Sequence, residues 1–95
     1  MNLGALEEKI RQVEGFAVRF VGRHSRKGVK RTARDVGNYT YLKKAKNSMS
    51  VTEFKDARLG FYRQWDWDAR IILADGSDAH GRMLLERVRQ SYTSN

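Results

Sequence analysis

Residues 65–76, WDWDARIILADG, alternate in a way that only an extended chain can use. Trp65, Trp67, Ala69, Ile71 and Leu73 share one side of a two-residue repeat, and Asp66, Asp68 and Arg70 share the other. That is the pattern of a strand with one face against a core and one in water, and Asp75-Gly76 supplies a turn at its end. The two tryptophans keep step with the aliphatic residues, so they read as core, each contributing a large apolar area. Trp65, at the start of the run, is the one placed to serve a protein-binding patch instead.

Working outward, MSVTEF at 49–54 predicts a helix start. Ser50 stands at the N-cap with Glu53 three residues on, closing a capping box, while Met49 and Phe54 occupy the positions of a hydrophobic staple. An uninterrupted helix from there to about Tyr62 would turn Val51, Phe54, Ala57 and Phe61 to the core. Further upstream, Phe16, Val18 and Phe20 alternate with Ala17, Arg19 and Val21 until Gly22, a second half-buried strand. Leu3, Leu6, Ile10 and Val13 recur at helical spacing before it, with Asn2 as cap, Glu7 four residues before Arg11, and Gly15 as the stop. Downstream of the turn, Ser77 or Asp78 is placed to cap a last helix whose stripe is Leu84, Leu85, Val88 and Tyr92. YTYLKK, residues 39–44, reads as a short additional strand. The expected order is α-β-(β)-α-β-α. The simplest architecture burying every stripe is an α+β fold, a three-stranded, mostly antiparallel sheet with helices on one face.

With 95 residues the chain is expected to form one domain over 1–95, with one modest core. At 40% hydrophobic and 32% charged it is globular in composition. It has no cysteine, which excludes a disulfide framework, a thiolate nucleophile and cysteine-ligated zinc. The longest apolar run is the four residues IILA, and acids stand in the N-terminal stretch where a signal peptide needs cations. A cytoplasmic protein that neither is secreted nor meets a membrane is the expectation.

Charge is the most uneven property of the chain. Ten Lys or Arg and one acid, Asp35, fall between Arg19 and Lys46, so that window carries +9 while the whole chain carries +8. The remainder is close to neutral, and the basicity is local. Lys and Arg clustered this way suit the phosphates of a nucleic acid, where neutralisation releases condensed counterions without any need to read bases. The expected nucleic-acid-binding residues are Arg23, Arg26, Lys27, Lys30, Arg31, Arg34, Tyr39, Tyr41, Lys43, Lys44 and Lys46. The two tyrosines would serve as stacking platforms on one strand face. Gly28, Gly37 and the absence of apolar periodicity make a mobile basic loop over about 23–38 the expectation. A charge run is also how a solvated loop looks, and an acidic protein would suit the same cations. No KH loop, RNP-type strand, zinc site or helix-turn-helix pattern names a binding family.

Gly15-Phe16, Arg19, Gly22 and His24 resemble the start of the HicA family of small basic mRNA-cleaving toxins, where a helix precedes a strand bearing a Gly-Phe, Arg and Gly-Ser-His series. The resemblance covers about ten residues. It implies that His24 is the catalytic base of a ribonuclease, although Arg23 stands where that family has serine. Asp66 and Asp68 share a strand face and, with Asp75 or Asp78, offer oxygen ligands for a divalent metal. Acids on a solvated strand face and in a turn explain them equally, and His80 has no partner at ligand spacing. No phosphate loop, nucleophile elbow or dinucleotide fingerprint is present. The leading expectation is therefore a small non-enzymatic protein without cofactor or metal, binding nucleic acid or a nucleoprotein complex through residues 23–46. Such a chain suits an accessory protein of a phage or other mobile element. The alternatives are an interaction module docking its basic loop on an acidic partner or a defence complex, and a HicA-like ribonuclease.

Overall fold

In the computed structural model, which describes residues 2–22, 37–65 and 67–93, Asn2 opens helix α1 (Leu3–Glu14) by accepting the Ala5 N–H on its side-chain oxygen at 2.9 Å. Gly15 closes the helix at φ +83°, donating its N–H to the Arg11 carbonyl, a left-handed cap that costs a glycine little. Leu3, Leu6 and Ile10 lie buried along one side. The chain then extends as β1 (Ala17–Gly22), which pairs antiparallel with β2 (Trp67–Ile72) so that Val18 faces Ile71 and Phe20 faces Ala69. All four of these side chains are buried. The expected alternation holds for Val18 and Phe20 and for Ala69 and Ile71, with Trp67 half-buried at the edge of the core. However, β2 starts at Trp67, because Trp65 still belongs to the helical segment before it, and Val21, expected on the outer face, is buried.

The Ser50–Glu53 capping box forms in both directions, with Glu53 N–H to Ser50 Oγ at 3.2 Å and Ser50 N–H to Glu53 Oε1 at 3.1 Å. It starts a second helical segment. Here the phase departs from the expected stripe. Four α-helical residues, α2 (Val51–Phe54), give way to a π turn over Lys55–Leu59 and then to 3-10 geometry over Gly60–Trp65. A π turn closes i→i+5 bonds and holds more residues than an α turn, so the inward series becomes Val51, Phe54, Leu59 and Tyr62. Ala57 and Phe61, expected inside, are outside, and Phe61 is 65% exposed.

The last helix, α3 (Leu85–Thr93), begins later than the cap residues suggested. Asp75 accepts from the Ser77 N–H at 2.9 Å and from its hydroxyl at 2.6 Å, a turn rather than a cap. Asp78 is gripped by Arg70, whose Nε lies 2.9 and 3.0 Å from its two oxygens. Residues 77–79 run back beside β2, with Leu73 N–H to Ser77 O and Ala79 N–H to Ile71 O both at 2.8 Å. Residues 81–84 then pin the start of α2, where Val51 donates to Met83 O and Thr52 to Gly81 O. An added Cβ on Gly81 would collide with Thr52 Oγ1. Leu84, expected in the helical stripe, precedes the helix and is 45% exposed, whereas Leu85 and Val88 are buried.

The expected third strand is absent. Among the described residues the sheet has two strands, and residues 39–46 form a strap without ladder partners. Its polar backbone groups are satisfied from elsewhere: the Ala45 N–H donates to Glu14 Oε1 at 2.8 Å, and the Lys43 carbonyl accepts from Arg58 Nη1 at 2.7 Å. A strand needs a free neighbouring edge. The outer edge of β1 is already used by α1, because the Phe20 N–H donates to Glu7 Oε2 at 2.8 Å, and at the other edge the Tyr92 hydroxyl of α3 bridges the Ala17 N–H and the Ile72 carbonyl between the two strands.

The molecule is thus a small α+β fold with three helical segments and a two-stranded antiparallel sheet among the described residues. Phe16 meets Phe54 edge-on at 5.2 Å and Phe20 meets Tyr62 at 5.3 Å. Each such pair contributes about 0.5–1.5 kcal/mol beyond its buried area. Residues of both strands, all three helical segments and the strap join one cluster.

Candidate nucleic-acid interface

Arg23, Arg26, Lys27, Lys30, Arg31 and Arg34, with His24, lie outside the described residues, as does most of the expected mobile loop at 23–38. The described part of the basic segment is the strap. On it Lys43, Lys44 and Lys46 are all exposed, flanking the buried Ala45. Arg19 is exposed on the solvent side of β1, opposite Arg70.

The strap is held by a residue to which the sequence reading gave no role. Glu14 is fully buried at the end of α1. Its carboxylate accepts from the Tyr39 hydroxyl at 2.6 Å, Arg58 Nη1 at 2.6 Å, the Ala45 N–H at 2.8 Å and Arg89 Nη2 at 3.1 Å. Arg89 also donates to the Glu14 carbonyl (2.7 Å) and to Asn47 Oδ1 (2.7 Å). One carboxylate therefore joins α1, the strap, the π turn and α3. A signal was present: Glu14 continues the Leu3, Leu6, Ile10 stripe, and it is an acid in the last helical turn, where the macrodipole favours a cation.

This network decides the two tyrosines differently. Tyr39 is 1% exposed with its hydroxyl on Glu14, so it is a core residue and not the outward platform expected of it. Tyr41 is 38% exposed. Its ring is tilted against Tyr39 at 5.2 Å, the Arg58 guanidinium sits 4.2 Å from its centroid, and its hydroxyl donates to the Ala57 carbonyl at 3.3 Å. Between the strap and the π turn lies a cleft of about 420 Å³, lined by residues that include Asn38, Thr40, Tyr41, Arg58, Phe61 and Tyr62. A larger cleft of about 480 Å³, bounded by His80, Met83, Leu84, Glu86, Arg87 and Gln90, takes no residue from the basic segment.

The acids considered as metal ligands are dispersed. Asp66 lies outside the described residues, Asp68 pairs with Lys55 at 3.2 Å, and Asp75 and Asp78 are engaged as above. Among the described residues no group of three His, Asp or Glu is placed to hold an ion. Among them too, no helix is long and apolar enough to cross a membrane.

Burial, and then the bond to Glu14, push the Tyr39 phenol far above the ordinary tyrosine range, and burial raises Tyr62 as well. The unfolded chain releases these protons near pH 10, whereas the folded chain retains them. Their stability contribution is therefore complete below that pH and falls as pH rises above it. Urea midpoints measured between about pH 9 and 11 should decline, and Tyr39→Phe should flatten the decline, leaving the part due to Tyr62. An unaltered slope in Tyr39→Phe would place the titration elsewhere.

Comparison of the chain with protein-family models, with curated proteins and with solved structures returns no match. The class defined by the fold is thus a small α+β domain with a cation-bearing strap riveted to its helices by a buried carboxylate.

Proposed function

We propose that the chain is a non-enzymatic binding protein that holds nucleic acid, free or within a nucleoprotein complex, on residues 23–46. The observation that carries this reading is the concentration of +9 in the window from Arg19 to Lys46 of a chain whose remainder is nearly neutral. Like charges held together repel, and a polyanion relieves the repulsion while releasing its own counterions. The strap supports the reading because its Lys43, Lys44 and Lys46 all face solvent while Ala45 between them is anchored on Glu14. A cytoplasmic accessory role in a phage or mobile element suits this chemistry.

The test is a four-fold substitution of Lys27, Lys30, Arg31 and Arg34 with Ala. If these cations meet phosphates, affinity for generic DNA or RNA should drop and the slope of log affinity against log salt should shrink by about 3–4 for duplex. The thermal midpoint is expected to hold or rise slightly, since removing clustered like charge relieves repulsion. An unchanged slope at an unchanged midpoint would remove these four residues from the interface.

A further inference from the structure

We infer that the cleft between the strap and the π turn receives an unpaired nucleobase, stacked on Phe61 with Tyr41 as the second ring, so that the ligand is single-stranded. This rests on the nucleic-acid reading of residues 23–46 and adds the strand state and the place where a base is held.

The π turn creates the site. In an uninterrupted helix Phe61 would follow Phe54 and Ala57 into the core. The wider turn sends Leu59 and Tyr62 inward instead and leaves Phe61, 65% exposed, on the wall of the cleft. Wide turns of this kind are rare and are frequently found at functional positions. Tyr41 lines the same cleft from the strap. It is held there from three directions, by Tyr39, by the Arg58 guanidinium and by its own hydroxyl on Ala57. Arg58 is itself fixed by Glu14 and the Lys43 carbonyl. The aromatic wall is therefore assembled in advance, which lowers the ordering cost of binding.

The volume, about 420 Å³, falls in the range of small-molecule pockets. Asn38 and Thr40 at the rim, both exposed, offer polar groups to a base edge. Charge selects the occupant. Along the chain the lining residues from Gly37 to Tyr41 lie between Arg34, from which Asp35 and Val36 separate them, and Lys43 and Lys44, which follow after Leu42. An apolar ring site with cations on both sides along the chain matches a base flanked by its phosphates. A base inside a duplex is stacked on both faces and enters only if flipped out, at a cost that an unpaired base avoids. Aromatic stacking combined with a basic groove is how single strands are held without sequence readout.

The experiment compares a twelve-residue oligothymidylate with a strand of the same length and charge whose central positions are abasic, both at low, fixed salt. Wild type should bind the thymidylate about five- to a hundredfold more tightly, the gain from one stacked base. Phe61→Ala should abolish that difference while leaving affinity for the abasic strand unchanged, with a small fall in the thermal midpoint from the lost edge contact with the Tyr62 ring at 5.3 Å. Phe61→Tyr should restore the difference, and Phe61→Leu should not. Equal wild-type affinity for both strands, with strong salt dependence intact, would overturn the stacking site and leave the basic interface standing. Restoration by Phe61→Leu would overturn it in favour of an apolar peptide side chain. Failure of both strands to bind at low salt would overturn the nucleic-acid reading itself, and this inference with it.

Discussion

Replacing Glu14 with Gln should destabilise the protein by about 3–5 kcal/mol, the cost of breaking a buried ion pair by removing one partner. The reason lies in the direction of every hydrogen bond at that carboxylate. Tyr39, Ala45, Arg58 and Arg89 all donate, and Glu14 alone accepts. A glutamine amide keeps one acceptor oxygen but turns an NH2 group toward donors, and it leaves two guanidinium groups, 17% and 11% exposed, without a counter-charge. Small domains have only about 5–15 kcal/mol to lose, so the midpoint in urea should fall steeply. A second substitution discriminates charge from packing. If the guanidinium left behind is the source of the cost, Arg89→Met in the Glu14→Gln background should recover part of it, since apolar replacement of a buried ion pair is often neutral. A loss below about 1 kcal/mol would show that Glu14 is solvated and that something else holds the strap.

The largest effect expected on binding is that of salt. If the segment contacts about six to ten phosphates, affinity for generic nucleic acid should fall by about 10³–10⁵ between 50 and 200 mM salt. Ten Lys or Arg lie between Arg19 and Lys46, enough to make that number of contacts. Filter binding or fluorescence anisotropy across the range measures the slope directly. A flat response would mean that phosphate neutralisation does not drive association, and the cations would then belong to an interface with an acidic protein.

The network around Glu14 links the two results. The carboxylate that sustains the fold also places the strap that bears Lys43, Lys44 and Lys46, because Tyr39, Ala45 and, through Arg58, the Lys43 carbonyl are tied to it. Partial relaxation of the strap in Glu14 variants should therefore weaken the preference for stacked bases before it weakens salt-dependent attraction to phosphates.

Much of this was legible in residues 2–22 and 49–73. The Asn2 cap, the Gly15 stop, the Ser50–Glu53 box and the two alternating runs are each written within a few residues, and each is present in the fold, the second run from Trp67 onward. Local periodicity and capping depend on backbone geometry that near neighbours determine. The charge asymmetry is likewise a property of the chain alone. Three features were not legible. Whether YTYLKK becomes a strand depends on a free sheet edge and on what else competes for its backbone groups, and the competitors, Glu14 and Arg58, lie 31 and 15 residues away in their respective bonds. The π turn that exchanges Ala57 and Phe61 for Leu59 and Tyr62 places Tyr62 against Phe20, a contact across 42 positions of sequence. The start of α3 waits until Leu85 because residues 77–84 are used against β2 and the head of α2. The sequence by itself determined the helix caps, the pairing faces of the strands and the place of the positive charge. Tertiary structure decided the buried carboxylate, the path of the strap and the outward turn of Phe61, because each depends on which distant groups compete for the same hydrogen bonds and the same buried volume.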